Sequence, residues 1–493
     1  MMRRFLPWHA RLKHRLTMSA LLLMASTGVI HAQRMTDALD RGLVAVYRTN
    51  GTNEGTFLSW RVLPNEYFDV TYNVYRNGTK LNSSPLQVSN FVDTNGSQTA
   101  SYTVTAVVKG VEQTACTAVT PWLSALQKYT TRTYAGYLDI TLQNVYSKAD
   151  HSDITSDYSP NDASVADLDG DGELEIILKR LNTADAANLY RATNTDYAII
   201  EAYKLNGQRL WWIDCGPNMV SLNSTEINAV AYDWDQDGKA EVLLRGADGM
   251  IIHKADGSTQ VIGNASVNTR SVFAGATTAQ YAWTHTGNEY LIYMNGQTGA
   301  TYQVTDYPLK RLESGETDEK TAWGDNYGHR SSKYFFGAPF LDGRKPSIFL
   351  ARGIYTREKM IALDVDPISH KLTTRWTWNC NDASSSWYGQ GYHNFTVADV
   401  DWDGRDEIVY GSMVIDDNGN GLSTTGLGHG DAQHVSDFNP YIHGQEMFAA
   451  NEDRPACNYR DATTSNIYYR LTASNDDGRA LMGNFSNDYH GAQ

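Results

Sequence analysis

Three short stretches of this chain gather carboxylates at a spacing that suits a hard cation. Asp167, Asp169 and Asp171 alternate up to Gly172 and are followed by Glu175. Asp233, Asp235 and Asp237 repeat the pattern with Gly238 and Glu241, and Asp399, Asp401 and Asp403 repeat it with Gly404 and Glu407. Three acids within five residues repel one another unless a cation neutralises them, and alternating carboxylates supply the many oxygen ligands that calcium takes. The first six positions fit the opening of an EF-hand loop. The Glu falls at position nine instead of twelve, however, and no amphipathic helix flanks any loop, so that reading fails. Each loop instead enters a short apolar run: Ile176, Ile177 and Leu178; Val242, Leu243 and Leu244; Ile408, Val409 and Tyr410. Metal-bound turns that lead into strands predict a calcium-stapled repeat architecture, with several calcium ions in structural roles. A solvated acidic turn without metal is the plainer alternative.

A second group of residues has a different chemistry. His393 sits in the run Gly389-Gln390-Gly391-Tyr392-His393-Asn394, just before the third acidic loop. His429 and Asp431 sit in Gly428-His429-Gly430-Asp431, and Glu446 and Glu452 follow. Glycines beside His429 let the backbone come close to a ligand. Imidazoles and carboxylates gathered at a blade edge predict a cation site separate from the acidic loops. Histidines that only hydrogen-bond neighbouring loops explain the same pattern equally well.

The elements that must carry these residues read as strands. Residues 43–46, 56–60, 72–76 and 101–106 form short runs, the last two alternating apolar and polar, and Asn77-Gly78 supplies a hairpin turn. Residues 33–125 are therefore expected to form a β-sandwich of fibronectin type III kind. From 126 to 493 the acidic loops dominate, with degraded copies at Asp342-Gly343 and at Asp477-Gly478, the latter before an expected strand at Ala480, Leu481 and Met482. Such long repeats, with no extended helical periodicity, predict an all-β chain whose larger part is a β-propeller with acidic loops at its blade turns.

Composition narrows the function. Residues 1–32 join a basic start (Arg3, Arg4, Arg11, Lys13, Arg15) to an apolar run from Met18 to Ile30, which predicts a signal peptide and an exported, periplasmic or extracellular protein. No later stretch predicts an integral membrane span. The four cysteines, Cys116, Cys215, Cys380 and Cys457, match no zinc spacing and do not reveal a pairing. A net charge of -15 argues against nucleic acid as a partner, and bound calcium would offset the conflict with an acidic polysaccharide. The 30 Tyr and 12 Trp suit sugar rings, although strand packing accounts for most of them. A monomer is expected.

The resemblance becomes specific in four places: Asn161-Asp162-Ala163-Ser164-Val165-Ala166-Asp167, Arg352-Gly353-Ile354-Tyr355-Thr356-Arg357, the run from Gly389 to Asp403, and the run from Gly411 to Asp437. These segments resemble the rhamnogalacturonan lyases of polysaccharide lyase family eleven, and the likeness spans nearly all of residues 36–493. It implies an eight-bladed propeller with several calcium ions, and cleavage of a pectin backbone, rhamnogalacturonan I, by β-elimination at galacturonate. By likeness, Asp162, His393, His429, Asp431 and Glu452 surround a cleft calcium. Arg479 faces the substrate, Asn161, Arg352 and Tyr355 contact it, and His393, His429 and Arg479 belong to the catalytic centre. A proton α to a carboxylate is barely acidic, so a cation on that carboxylate would help its removal. Histidines that serve as ligands must be neutral and are poor bases, and no general base is assigned.

This sequence departs from the family pattern in two places. Leu181 replaces an expected sugar-contacting Asp, and Leu222-Asn223-Ser224-Thr225-Glu226-Ile227 replaces an aromatic His-Tyr segment. Members also continue past the position of Gln493, so the sequence reads as a piece lacking the last blades and a lysine-bearing loop. These departures keep a second reading in view, a catalytically silent calcium-dependent sugar-binding or adhesion propeller. A hydrolase is disfavoured because no carboxylate pair stands out as acid and nucleophile.

Overall fold

The structure is a computed structural model that describes residues 34–35, 39–48, 55–63, 66, 70–123, 140–188, 190–219, 228–270, 286–483, 485–486, 488 and 490–492. The expected signal peptide and the segment 222–227 lie outside the described residues.

Eight strands come first: β1 (Val44–Arg48), β2 (Gly55–Ser59), β3 (Thr71–Arg76), β4 (Thr79–Lys80), β5 (Asn90–Asp93), β6 (Tyr102–Val108), β7 (Val111–Glu112) and β8 (Trp122–Leu123). They form two four-stranded sheets, ordered β5-β2-β1-β8 and β4-β3-β6-β7. Alternation in β3 and β6 turns Tyr72, Val74, Tyr102 and Val104 inward, where they meet Leu58 and Trp60 in one core.

Next come β9 (Tyr158–Ala166), β10 (Glu175–Asn182), helix α1 (Thr183–Ala187), β11 (Ile199–Tyr203), β12 (Arg209–Asp214), β13 (Ala229–Tyr232), β14 (Glu241–Ala247), β15 (Ile251–His253), β16 (Thr259–Val261), β17 (Glu289–Asn295) and β18 (Thr301–Asp306). Then follow helix α2 (Glu319–Trp323), β19 (Tyr334–Gly337), β20 (Ile348–Arg352), β21 (Glu358–Val365), β22 (Leu372–Cys380), β23 (Thr396–Ala398), β24 (Glu407–Tyr410), β25 (Met413–Ile415) and β26 (Gly421–Thr424). The last four are β27 (Gly430–Ser436), β28 (Glu446–Asn451), β29 (Ala456–Asp461) and β30 (Ile467–Thr472).

From β9 onward, the described residues form five antiparallel meanders. The first is β9 to β12, widened by the β15–β16 hairpin. The others are β13-β14-β17-β18, β19-β20-β21-β22, β23-β24-β25-β26 and β27-β28-β29-β30. Successive sheets pack face to face. Val242 and Leu244 of β14 join Ile177, Ile200 and Ile213 of the first sheet, whereas Leu243 between them joins Leu350 and Ile361 of the third. Phe349 and Met360 meet Ile408 and Met413, and Val409 and Val414 meet Met447 and Ala449. The inner strands are thus buried on both faces, which is why they read as unbroken apolar runs. Each such buried side chain contributes roughly 1.5–3 kcal/mol.

All three runs expected after the acidic loops are strands, β10, β14 and β24. Ala480, Leu481 and Met482 are not. Leu481 is exposed, and no strand among the described residues pairs with this segment. All four cysteines are free thiols. No described helix is long and apolar enough to cross a membrane.

Candidate metal loops and an imidazole cleft

The three acidic loops share one geometry, and local physics explains it. The second residue of each (Leu168, Trp234, Val400) is an anchor buried in the sheet core. Its N–H donates to the closing glutamate, at 2.8 Å for Glu175, 3.1 Å for Glu241 and 2.7 Å for Glu407. The sixth residue donates back to the first Asp: Gly172 to Asp167 at 2.9 Å, Gly238 to Asp233 at 3.0 Å and Gly404 to Asp399 at 3.1 Å. That turn needs φ near +90° (89°, 91° and 93°), a region that favours glycine.

In each loop the acids at the first and third positions (Asp167 and Asp169, Asp233 and Asp235, Asp399 and Asp401) and the closing Glu have ligand atoms within 4.8 Å of one another. The fifth residues, Asp171, Asp237 and Asp403, stand outside these groups, where each accepts the N–H two residues on. Burial, with added repulsion from the aspartates, pushes the Glu175 carboxyl up to about 7, Glu241 to about 9 and Glu407 to about 8. Asp169 Oδ1, Asp235 Oδ2, Asp399 Oδ1 and Glu407 Oε1 are buried without a hydrogen-bond partner. Crowded, under-satisfied carboxylate oxygens fit a hard cation.

The loops differ in what already neutralises them. Lys204 Nζ lies 2.5 Å from Asp169 Oδ2, 2.8 Å from Asp171 Oδ2 and 3.9 Å from Glu175 Oε1, so the first loop holds an internal ammonium. Beside the second stands the His370 imidazole, 3.0 Å from Asp235 Oδ2 but out of hydrogen-bond alignment. Beside the third, Glu407 also forms a group with Asp416 and Asp417, a cluster the sequence reading missed.

The imidazole cleft lies at the opposite end of the strands. In an antiparallel meander successive turns alternate ends. The acidic loops close β9–β10, β13–β14 and β23–β24, whereas Tyr355, His393, His429 and Glu452 lie in the β20–β21, β22–β23, β26–β27 and β28–β29 connections. The buried Glu358 carboxyl accepts from Gly389 N at 3.1 Å and Gly391 N at 3.0 Å, and this fixes the loop before His393. A parallel bridge between Tyr392 and Gly430 brings that loop beside His429.

His393, His429 and Asp431 then present ligand atoms within 4.8 Å of one another. His429 Nδ1 lies 2.6 Å from the Gly391 carbonyl oxygen, which can only accept, so Nδ1 carries the proton. The lone pair on buried Nε2 faces the cluster. It has no hydrogen-bond partner and stands 3.4 Å from Glu452 Oε2, acceptor against acceptor. Burial pushes the His429 imidazole down, against the opposing pull of Gly391 and Asp453. Burial and then the neighbouring His429, Lys333 and Arg479 push His393 down to about 3. Two neutral imidazoles facing two carboxylates are a ligand set for a divalent ion.

Other expected residues fall as follows. Arg479 is largely exposed and pairs with Asp431 at 2.9 Å, so it belongs to the cleft mouth. Tyr355 packs its ring 4.2 Å from that of His429, and its hydroxyl lies 3.2 Å from His393 Nε2. Asp162 is outside the imidazole group. Its exposed carboxylate meets Lys179 at 3.4 Å on the wall of a separate cavity of about 270 Å³, and Asn161 beside it is exposed. Leu181 packs against the core of the first two sheets.

Arg352 requires a correction. It is fully buried, donating to Glu289 at 2.8 Å, Ser331 O at 2.5 Å and Leu309 O at 2.7 Å, so it braces the sheet and does not reach a ligand. The sequence reading also missed His329, Arg330 and Lys333. Helix α2 is capped by Asp318, and the chain after it curls because Asp325 accepts from Tyr327, Gly328 and Arg330 N–H groups. That curl sets His329 5.2 Å from the Tyr355 ring, with Arg330 and Lys333 5.8 and 6.0 Å from it. No local pattern in residues 324–333 signals this.

Known proteins similar to this chain share one family. The family model for the C-terminal domain of rhamnogalacturonan lyase family 11 matches residues 137–493, and that for the beta-sheet domain of rhamnogalacturonan I lyases matches residues 34–122. The rhamnogalacturonan endolyase YesW of Bacillus subtilis is 37% identical over 466 residues, covering 94% of this chain and 69% of its own length. The exolyase YesX of the same organism is 36% identical over 467 residues, covering 93% and 70%. A solved rhamnogalacturonan lyase of Bacillus licheniformis matches with a TM-score of 0.74 at 37% identity, over 94% of this chain and 74% of that one.

Proposed function

The chain belongs to rhamnogalacturonan lyase family 11, and from that premise we propose that it cleaves rhamnogalacturonan I by calcium-assisted β-elimination at galacturonate. The observation that carries the reading is the orientation of His429, whose Nδ1–H is spent on Gly391 O while its buried Nε2 lone pair faces His393, Asp431 and Glu452.

His393, His429, Asp431 and Glu452 would hold the cleft ion. Calcium held there would supply a positive charge beside the galacturonate carboxylate and would lower the cost of negative charge building at C5. The reaction removes the C5 proton, forms the C4–C5 double bond and expels the sugar on O4. Arg479, a permanently charged guanidinium held at the mouth by Asp431, binds and steadies the uronate carboxylate. Tyr355 forms the wall beside His429 and orients the sugar ring. Asp233, Asp235 and Glu241, and likewise Asp399, Asp401 and Glu407, would hold calcium that fixes the blade turns of a propeller. The basic start and apolar run of residues 1–32 support export to where pectin is met.

Incubation with rhamnogalacturonan I and calcium tests this. The 4,5-unsaturated product absorbs in the ultraviolet, so absorbance rises and a chelator stops it. Binding without any absorbance rise would replace the lyase with a silent sugar-binding propeller.

A further inference from the structure

Beside the imidazole cleft lies a polar cavity of about 480 Å³. It shares Tyr355 with the cleft and is otherwise walled by Ser384, Ser385, Ser386, Tyr388 and Arg454, among others. Its size is that of a small-ligand site. The hydroxyl wall is organised: Asp382 holds Ser384 Oγ at 2.7 Å, and Trp387 N donates to Ser385 Oγ at 3.2 Å. Asp453, the one carboxylate in the wall, is engaged by His429 N–H at 2.9 Å.

Among the described residues Arg454 is the one cation in the wall, and it is exposed. One Nη1–H donates to Gly426 O, and Arg470 donates to the Arg454 carbonyl at 3.1 Å, so both ends of the residue are anchored. Among the described residues no carboxylate pairs with it at ion-pair distance. A pre-set guanidinium with donors to spare, in a wall of hydroxyls, suits a sugar carboxylate.

We propose that this cavity is a second uronate subsite, in which Arg454 pairs with the carboxylate of a galacturonate one neutral sugar away from the reacting one. The proposal rests on the lyase reading above. The Ser384 to Ser386 loop and Tyr388 then bond the ring hydroxyls. Arg454 acts by positioning, at some remove from the C5 proton.

The test is steady-state kinetics of Arg454→Gln and Arg454→Lys on rhamnogalacturonan I, with thermal melts to verify folding. Arg454→Gln is expected to raise KM about tenfold with kcat within twofold, and Arg454→Lys to recover most of the loss. Added salt should raise the wild-type KM more than that of Arg454→Gln. An unchanged KM in Arg454→Gln overturns the subsite and leaves the lyase reading standing. If the wild type makes no unsaturated product, the lyase reading fails, and calorimetric titration with a rhamnose–galacturonate oligosaccharide decides the subsite. Equal binding by wild type and Arg454→Gln then overturns it.

Discussion

Glu289 shows how far one carboxylate can organise its surroundings. It begins β17 and accepts from Arg352 at 2.8 Å, with Arg311 and Arg245 at 3.1 and 3.3 Å and the Tyr334 hydroxyl also bonded to it. Burial works to raise this carboxyl, but the Arg311, Arg352 and Arg245 guanidiniums outweigh it and hold it well below its ordinary 4.5. Removing one partner of a buried ion pair costs about 3–5 kcal/mol, because the remaining charges stay buried. Glu289→Gln is therefore expected to lose about that much stability at pH 7, measured by denaturant unfolding. The pH dependence has a definite sign. Because the folded-state value is depressed, the contribution is fully present above 4.5 and is lost as pH falls below it, where the unfolded chain binds the extra proton. Glu289→Gln should flatten that part of the acid-side fall in stability. An unchanged acid slope would mean that the guanidiniums are not the dominant partners.

At the scale of loops and strands, identical motifs have diverged in how they are neutralised. The first loop's ammonium comes from Lys204, whereas Asp235 of the second and Asp399 and Glu407 of the third present buried carboxylate oxygens without a hydrogen-bond partner. Lys204→Gln should lower the melting temperature in EDTA by a few degrees and regain most of that in calcium, since about 1 kcal/mol corresponds to a few degrees in a chain this size. Equal melting of variant and wild type in EDTA would remove Lys204 as the loop's cation. The motif itself was legible because its ligands lie within nine residues of sequence and because strands buried on both faces read as apolar runs. Lys204 was not, since it sits 33 residues beyond Asp171 and only sheet pairing brings it back. The same holds for Arg352, whose partner Glu289 is 63 residues away, so a motif-borne arginine looked like a ligand contact and turned out to be a brace. His393, His429 and Asp431 were legible from their glycine-rich, polar setting, whereas His329 and Lys333 enter the cleft through a curl that no local pattern announces.

Across the whole molecule, the alternation of turns in an antiparallel meander separates two groups of candidate metal ligands. The acidic loops stand at one end of the sheets and the imidazole cleft at the other, and the sheets between them share cores on both faces. Substitutions at the two ends should therefore act on different measurements, because distant sites without shared partners behave additively. Asp235→Asn, in a loop with a fully buried side chain, is expected to shrink the rise in melting temperature that calcium produces, while kcat in saturating calcium stays within twofold. His429→Ala is expected to do the reverse. It removes the lone pair that faces the cluster, so kcat should fall about a hundredfold or more, as for other losses of preorganised charge stabilisation, while the calcium-dependent melting shift persists. Calcium titrations of wild type and both variants, followed in parallel by absorbance and by thermal melts, measure this. If both variants lost activity and calcium-dependent stability in the same proportion, the two ends would be one coupled system, and assigning structural ions to one end and a reacting ion to the other would fail.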